Sequence, residues 1–402
     1  IDPPFNKEQD ADYFYSVKYK DATWITLLEN RLHLARDVLK DTGSIFVRCD
    51  YNGNMYVRLL MNEIFGEENF RNEIVISRRK FQMIGGKTFS TRTETLWLYS
   101  KSDKLLFNKI RRKIPNPTWK PLLHLPGKRE RPERYVAGKK ILPPEGRHFG
   151  ISQKAIDIAY KEGRIRFNEK GQVEIFVDTE ELNNNWTDIE GYGFGLGFPT
   201  ENAEILLKRI LEISSNEGDL VTDFFLGSGT TTAVAHKLKR KWIGVEMGEH
   251  FYTVVLPRMK KVLAYDKSGI SKEKDVKEKY NQNKAGGFFK YYDLEQYEQT
   301  LRKAVYKESH PFVDFDDKSI YQQYVFMKDL KLLDAMKLDY ENNKIKINFE
   351  EIYPNIDLAE TLSNLTGKAI KKIEKNAVIF EDGIKIDFDD IDFNLIKPLI
   401  WW

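Results

Sequence analysis

Between positions 24 and 39 apolar side chains recur at helical spacing, with Leu27, Leu28, Leu32, Ala35 and Leu39 on one stripe. That pattern predicts an amphipathic helix, ended by Asp41-Thr42-Gly43. Ser44-Ile45-Phe46-Val47-Arg48-Cys49 predicts a short buried strand, 55–65 a second helix stopped by Gly66, and 73–77 and 95–99 two more strands. Strands that alternate with helices are expected to form βα units and a largely parallel sheet. The pattern resumes at 203–213, a helix with Ile205, Leu206, Ile210 and Ile213 as its stripe. A strand leading into a glycine loop at 220–229 follows, then a helix through 238 and a strand over 241–246. A helix over 251–263 is expected to be interrupted by Pro257, and the lysine- and glutamate-rich stretch 267–284 reads as a solvated helix or linker. Beyond 288, helical stretches at 294–306 and 321–336 and β-like runs at 344–349, 377–380 and 384–388 suggest a separate α+β domain with no catalytic cluster.

Composition narrows the class without naming a function. The chain has 402 residues, 41% hydrophobic and 31% charged, enough for two or three domains. No run of about 18 apolar residues is present to span a membrane. A single cysteine, Cys49, excludes an internal disulfide framework or a cysteine zinc site, so a reducing, cytoplasmic setting is expected. The net charge of +3 is too small to point to a nucleic-acid partner by itself; its distribution is more telling. Between Lys109 and Arg147 twelve basic residues face three acids, a local net of +9. Among them Arg111, Arg112, Lys113, Lys128, Arg129, Lys139, Lys140 and Arg147 are candidate phosphate and base-edge contacts, interleaved with prolines and aromatics. A merely solvated basic surface would have the same composition; placement between two α/β halves favours the binding reading.

Two stretches carry chemistry. The chain begins Ile1-Asp2-Pro3-Pro4-Phe5, where a strand is expected to end. Two prolines fix the backbone and lack N–H groups, so carbonyl acceptors should project beside the Asp2 carboxylate, with the Phe5 ring alongside. An exposed turn of this kind could accept hydrogen bonds from an amino group on a planar ring, such as a base swung out of a duplex. The tetrapeptide alone is equally read as a rigid turn with an apolar anchor. The second stretch is Asp223-Phe224-Phe225-Leu226-Gly227-Ser228-Gly229-Thr230. A strand that runs through Gly-x-Gly into a helix N-terminus suits a nucleotide-like ligand, while the lack of a Walker lysine disfavours phosphate binding. Glu246, at the tip of the next strand, is placed to hold ribose hydroxyls.

Together these residues resemble a known family. Asp2-Pro3-Pro4-Phe5 looks like the catalytic Asp-Pro-Pro-aromatic motif of S-adenosylmethionine-dependent DNA amino-methyltransferases, and the 223–230 stretch resembles their cofactor loop. The catalytic motif precedes the cofactor motif with a basic insertion between, which is the permuted β-class order. Phe198-Pro199-Thr200 resembles the family's Pro-Thr-x-Lys-Pro segment near the methionine end of the cofactor, and Glu246 matches its ribose acid. There are departures: Phe5 stands where Tyr is commoner, and Glu201-Asn202 replaces the usual Lys/Gln-Pro. Positions 142–149 and 186–189 resemble the recognition region of larger members, and Gly286 to Tyr292 with the long tail resembles the modification subunits of type III restriction–modification systems. The resemblance implies an α/β, Rossmann-like methyltransferase sheet, mostly parallel and seven-stranded with one antiparallel strand. It implies a catalytic half over 1–107, an inserted target recognition domain over 108–190, a cofactor-binding half over 191–265 and an α+β C-terminal domain over 266–402 for subunit or partner interaction.

The implied activity is site-specific adenine-N6 methylation of double-stranded DNA with S-adenosyl-L-methionine as cofactor and no metal. Asp2, Pro3, Pro4 and Phe5 would be catalytic, with Asp2 an ionised acceptor. Asp223, Phe224, Phe225, Gly227, Ser228, Gly229, Thr230, Glu246, Phe198, Pro199 and Thr200 would bind the cofactor. Implied partners are DNA, a second copy of the chain and a restriction (helicase–nuclease) subunit. The alternatives are N4-cytosine methylation, or a non-catalytic DNA-recognition subunit that keeps the fold.

Overall fold

The computed structural model describes residues 1–5, 22–78, 89–127, 129–130, 132–193, 195, 197–198, 200–294, 301–302, 336–339, 344–349, 353, 355–392 and 395. They divide into two compact units, Ile1–Tyr291 and Tyr292–Trp402.

The first unit begins with α1 (Ala22–Val38), β1 (Ser44–Cys49), α2 (Asn54–Phe65), β2 (Phe70–Ser77) and β3 (Thr93–Ser100). β3 lies between β1 and β2 and runs antiparallel to both, with Val47 opposite Trp97 and Ile74 opposite Leu96. Side chains alternate across it. Trp97 and Tyr99 join Trp24, Leu28 and Leu32 of α1 and Val57, Met61 and Phe65 of α2 on one face, while Leu96 and Leu98 face the other way. The expected alternation of βα units therefore ends at β2. Arg78 donates its backbone N–H to Arg92 at 2.9 Å, continuing the β2–β3 ladder past the strand ends as a direct antiparallel return. Ile1 lies against β1: its amino group donates to the Phe46 carbonyl at 2.7 Å and its carbonyl accepts from Arg48 N–H at 2.9 Å.

The basic insertion is built on β4 (Arg111–Pro121), β5 (His124–Pro126), β6 (Arg134–Val136), β7 (Lys139–Ile141), β8 (Arg147–Phe149), α3 (Gln153–Lys161), β9 (Ile165–Phe167) and β10 (Val173–Glu181). β10 pairs antiparallel with both β4 and β9, and a small core forms beneath them from Leu122, Val136, Phe149, Ile156 and Ile165. The chain then returns through β11 (Asn185–Glu190), which joins β2 in parallel. Among the described residues the resulting sheet has four strands, in the order β1-β3-β2-β11.

The half expected to bind the cofactor follows as α4 (Glu204–Ser214), β12 (Leu220–Asp223), α5 (Thr230–Lys237), β13 (Lys241–Gly244), α6 (Leu256–Leu263) and α7 (Lys274–Lys279). α4 sets Leu206, Ile210 and Ile213 against Phe46, Leu96 and Leu98, so the four-stranded sheet is covered on both faces. β12 and β13 form a separate parallel pair joined through α5. The seven-stranded sheet expected from the sequence is thus seen as four strands and two, with Ile1 the described residue that pairs beside β1. Pro257 does not break α6. The helical run is a π turn over Phe251–Val255 that passes directly into α6, with Pro257 at the junction, so the expected interruption is a change of helix type.

The expected boundary at 265/266 moves to 291/292. Ile270, Val276 and Tyr280 are buried with Val262 and Leu238 in one apolar core, and the buried Lys237 ammonium pairs with Asp266 at 2.7 Å and Glu204 at 2.9 Å. The stretch expected to be a solvated helix or linker carries α7, whose buried residue is Val276, and it belongs to the first unit. The second unit contains β14 (Met336–Asp339), β15 (Lys344–Ile347), α8 (Leu358–Thr366), β16 (Ile370–Ile373), β17 (Ala377–Phe380) and β18 (Lys385–Asp387). In it Leu362 packs on Val378 and Phe380 of an antiparallel three-stranded sheet. The helices expected over 294–306 and 321–336 fall almost wholly outside the described residues. No helix among the described residues is long and apolar enough to cross a membrane.

Candidate active site

The Asp2-Pro3-Pro4-Phe5 turn is held from three sides. Ile1 anchors it on β1. The indole Nε1 of Trp24, a fully buried α1 residue, donates to the Pro4 carbonyl at 2.6 Å. Asn202 donates from Nδ2 to Asp2 Oδ2 at 3.0 Å. Pro3 and Phe5 are buried and Asp2 and Pro4 half-buried, so the turn expected to be exposed is largely covered, held against β1 and α1 by these contacts. Of the turn's carbonyls, that of Ile1 accepts from Arg48 and that of Pro4 from Trp24, while those of Asp2 and Pro3 take no hydrogen bond among the described residues. Asp2 Oδ1 is likewise buried without a hydrogen-bond partner among them.

Behind Asp2 lies a buried charge network that sequence reasoning missed. The Arg48 guanidinium, 2% exposed, donates to Glu94 from Nε at 2.9 Å and Nη2 at 2.6 Å, and from Nη1 to the Gly191 carbonyl at 3.0 Å and to Asn202 Oδ1. Tyr192 donates to the other Glu94 oxygen at 2.8 Å, and its ring lies 4.2 Å from the guanidinium carbon. A signal for it was present, namely an arginine inside the apolar strand run Ile45-Phe46-Val47-Arg48-Cys49. Buried charges are rarely tolerated unpaired. Burial pushes the Asp2 carboxyl above its ordinary 3.8, opposed by the Arg48 charge and the Asn202 hydrogen bond and assisted by Glu94. The ionised acceptor expected from the sequence therefore sits in surroundings that resist ionisation.

The glycine loop forms the second cluster. Asp223 closes β12 and accepts from Phe225 N–H at 3.1 Å and from Thr231 Oγ1 at 2.5 Å. Gly227 and Gly229 have φ of +56° and +79°, in the left-handed region that glycine enters without strain, and Gly229 caps α5. A Cβ on Gly227 would meet nothing within 4 Å, so the loop backbone opens onto free space. Glu246 lies just past β13. It accepts from Gly227 N–H at 2.8 Å and Gly248 N–H at 2.9 Å, with His250 at 3.5 Å. Burial alone would raise its carboxyl, but His250 and the two amides outweigh it and hold it below the ordinary 4.5.

Buried Arg258 of α6 ties the loop from behind, donating to the Ser228 carbonyl at 3.2 Å and Thr230 Oγ1 at 2.9 Å and pairing with Glu201 at 3.2 Å. The Phe224 and Phe225 rings lie 5.3 Å apart, and Phe225 packs on the core beneath the catalytic half. Phe198 is buried 5.3 Å from the His250 ring and Thr200 is half-buried; Pro199 lies outside the described residues. An open, left-handed glycine loop with an ionised acid at the next strand tip fits a nucleoside-bearing cofactor.

The family model of the N6_N4_Mtase DNA methylases matches residues 1–256, spanning both clusters and the insertion between them. The chain belongs to this DNA methylase family. Among curated relatives of this methylase, the probable type III restriction-modification enzyme HindVI Mod subunit of Haemophilus influenzae is 28% identical over 396 residues, covering 76% of this chain and 52% of the relative. The type II methyltransferase M.EcaI of Enterobacter cloacae is 29% identical over 280 residues, covering 61% of this chain and 60% of the relative. The chain thus spans about half of the one and three fifths of the other. The solved PvuII DNA methyltransferase (cytosine-N4-specific) is 15% identical with a TM-score of 0.37, over 64% of this chain and 77% of that one.

In the insertion of the methylase, Arg111, Lys113, Arg129, Lys139, Lys140 and Arg147 are exposed, and Lys128 lies outside the described residues. Arg112 departs from expectation. It is half-buried, donates to Glu180 at 2.8 Å and Asp188 at 3.1 Å, and Asp188 is also held by Arg209 of α4 at 2.8 Å. Its charge is committed to anchoring the insertion on the catalytic core.

Proposed function

We propose that the first unit methylates the N6 amino group of adenine in double-stranded DNA, as the modification component of a restriction–modification system. The observation that carries this reading is a pair of bare acceptors in the opening turn: the buried, unpartnered Asp2 Oδ1 and the Pro3 carbonyl, which takes no hydrogen bond among the described residues. An exocyclic amine has two N–H donors and would satisfy both. Accepting those hydrogens draws electron density onto a nitrogen whose lone pair is otherwise delocalised into the ring, and it fixes that nitrogen's direction of attack. This is positioning plus electrostatic stabilisation of charge that develops on the amine.

S-adenosyl-L-methionine, when bound, supplies an activated methyl group on a sulfonium. Glu246 would accept from its ribose hydroxyls, the Gly227-Ser228-Gly229 backbone would let it approach, and Phe198 and Thr200 would border its other end. Phe5 supplies the aromatic wall for the base, and burial of Pro3 and Phe5 keeps water from the acceptors. A base must leave the duplex to reach them, at a cost of a few kcal/mol for unstacking. Exposed Arg111, Lys113, Lys139, Lys140 and Arg147 would contact the duplex backbone. The relative named as the Mod subunit of a type III restriction-modification enzyme supports a restriction-subunit partner, and a second copy of the chain is the remaining proposed partner.

The test is transfer of a radiolabelled methyl group to unmodified DNA. Asp2→Ala is expected to abolish transfer while calorimetric cofactor binding persists; transfer at the wild-type rate would overturn the assignment. Cytosine N4 is the second reading, because it too presents two N–H donors to the same acceptor pair. An aspartate as the first catalytic residue favours adenine by resemblance to the family, and single-molecule sequencing of the methylated DNA distinguishes the two products.

A further inference from the structure

Two residues on one short segment face opposite ways. Glu201 reaches Arg258 behind the cofactor loop at 3.2 Å, and its neighbour Asn202 reaches Asp2 at 3.0 Å. The segment is pinned by a bridge between Asn202 and Tyr192, with Gly193 N–H donating to the Glu201 carbonyl at 2.7 Å and Ala203 N–H to the Gly191 carbonyl at 3.2 Å.

We propose that Asn202 positions Asp2 for the methyl acceptor: Arg48 holds its amide oxygen, its amide nitrogen engages one carboxylate oxygen of Asp2, and the other oxygen is left to receive the amine. The proposal rests on the reading of Asp2 as the amine acceptor. The amide has one workable orientation. Turned over, its NH2 would oppose the Arg48 donors and its oxygen would oppose the Asp2 carboxylate. Arg48 cannot turn away to compensate, since Glu94 and the Gly191 carbonyl take its other donors. Glu94 and Arg48 thus fix the orientation of Asn202, and Asn202 is a positioning residue that does not itself touch the base.

The hydrogen bond also favours the charged form of Asp2. The titratable groups that face Asp2 are Arg48 and Cys49 on β1, Glu94 on β3, Tyr192 and the Ile1 amino group. Burial raises Cys49 and Tyr192 far above the acid range, and Glu94 keeps Arg48 and Tyr192 as partners whatever stands at 202. Loss of the Asn202 donor therefore shows on the acid limb of the rate profile through Asp2.

The experiment compares the full chain with its Asn202→Ala, Asn202→Asp and Asp2→Ala variants, using radiolabelled S-adenosylmethionine and unmodified DNA from pH 5 to 9. Asn202→Ala is expected to lower kcat about 10- to 100-fold, the scale of one hydrogen bond to a charged group, with little change in KM for the cofactor and an acid limb shifted to higher pH. Asn202→Asp is nearly isosteric and carries the test if the alanine variant is unstable; a like charge beside Asp2 should shift the limb further still. Wild-type kcat and an unmoved acid limb in a folded Asn202 variant, with Asp2→Ala inactive, would overturn the positioning role alone. Activity in Asp2→Ala would instead remove the reading on which it rests.

Discussion

Asp2 is a carboxylate whose surroundings serve a ligand better than they serve the fold. One oxygen has Asn202; the other is buried and bare among the described residues. Because its folded pKa is raised above the ordinary 3.8, the native state holds the proton more tightly than the unfolded chain does. The contribution of Asp2 to stability is therefore fully present below 3.8 and lost as pH rises through the folded value. Asp2→Ala removes that dependence. It also leaves Asn202 Nδ2 without its acceptor, but this offset is the same at every pH, so the slope carries the information. The melting temperature of Asp2→Ala relative to wild type is expected to climb as pH rises from about 4, measured without ligand; a flat difference would place the strain elsewhere. At this scale the legible residues were those whose type and spacing announce chemistry, namely Asp2, Gly227, Gly229 and Glu246. Trp24, Arg48 and Asn202 are ordinary types brought in from 22, 46 and 200 positions away, and folding alone brings them to the turn.

Among the elements, periodicity located most helices and strands, because each buries a single stripe or face. It could not determine how strands pair. β2 and β3 carry the same apolar pattern whether they run parallel or antiparallel, and the return at Arg78 and Arg92 decided the matter. It also read α7 and its flanks as a solvated helix or linker, since lysines and glutamates outnumber the apolar residues there, and missed that the segment is anchored in the core of the first unit. Three buried side chains, Ile270, Val276 and Tyr280, are enough to hold the segment. Tyr280 is wholly buried, donates to the Val262 carbonyl at 2.6 Å and accepts from Asp266 N–H at 2.7 Å. Tyr280→Ala is expected to destabilise the first unit by about 3–5 kcal/mol, measured by denaturant unfolding. A cost below about 1 kcal/mol would return the segment to the status of a linker.

For the whole molecule, the order of opening turn, basic insertion and glycine loop was readable because two short motifs bracket a change in composition. The division at 291/292 was not, since nothing in the local composition records that Lys237 recruits Asp266. Charge reversal at exposed Lys113, Lys139, Lys140 or Arg147 is expected to weaken DNA binding and to lower the salt slope by about 0.9 for each phosphate that is no longer neutralised, read from affinities at several salt concentrations. Arg112→Glu should act differently. It breaks the links to Glu180 and Asp188, and thermal unfolding of the insertion should register it. An unaltered salt slope across the exposed set would move the DNA surface elsewhere.

The clamp of Trp24 on the Pro4 carbonyl also makes the catalytic turn observable without an added probe. The chain has seven tryptophans, so incorporation of 5-fluorotryptophan should give seven fluorine resonances. The one that vanishes in Trp24→Phe belongs to an indole bonded two residues from Asp2. Its chemical shift should move when a base docks in the turn and hold still when DNA binds elsewhere, which separates arrival of the duplex from capture of the base in real time.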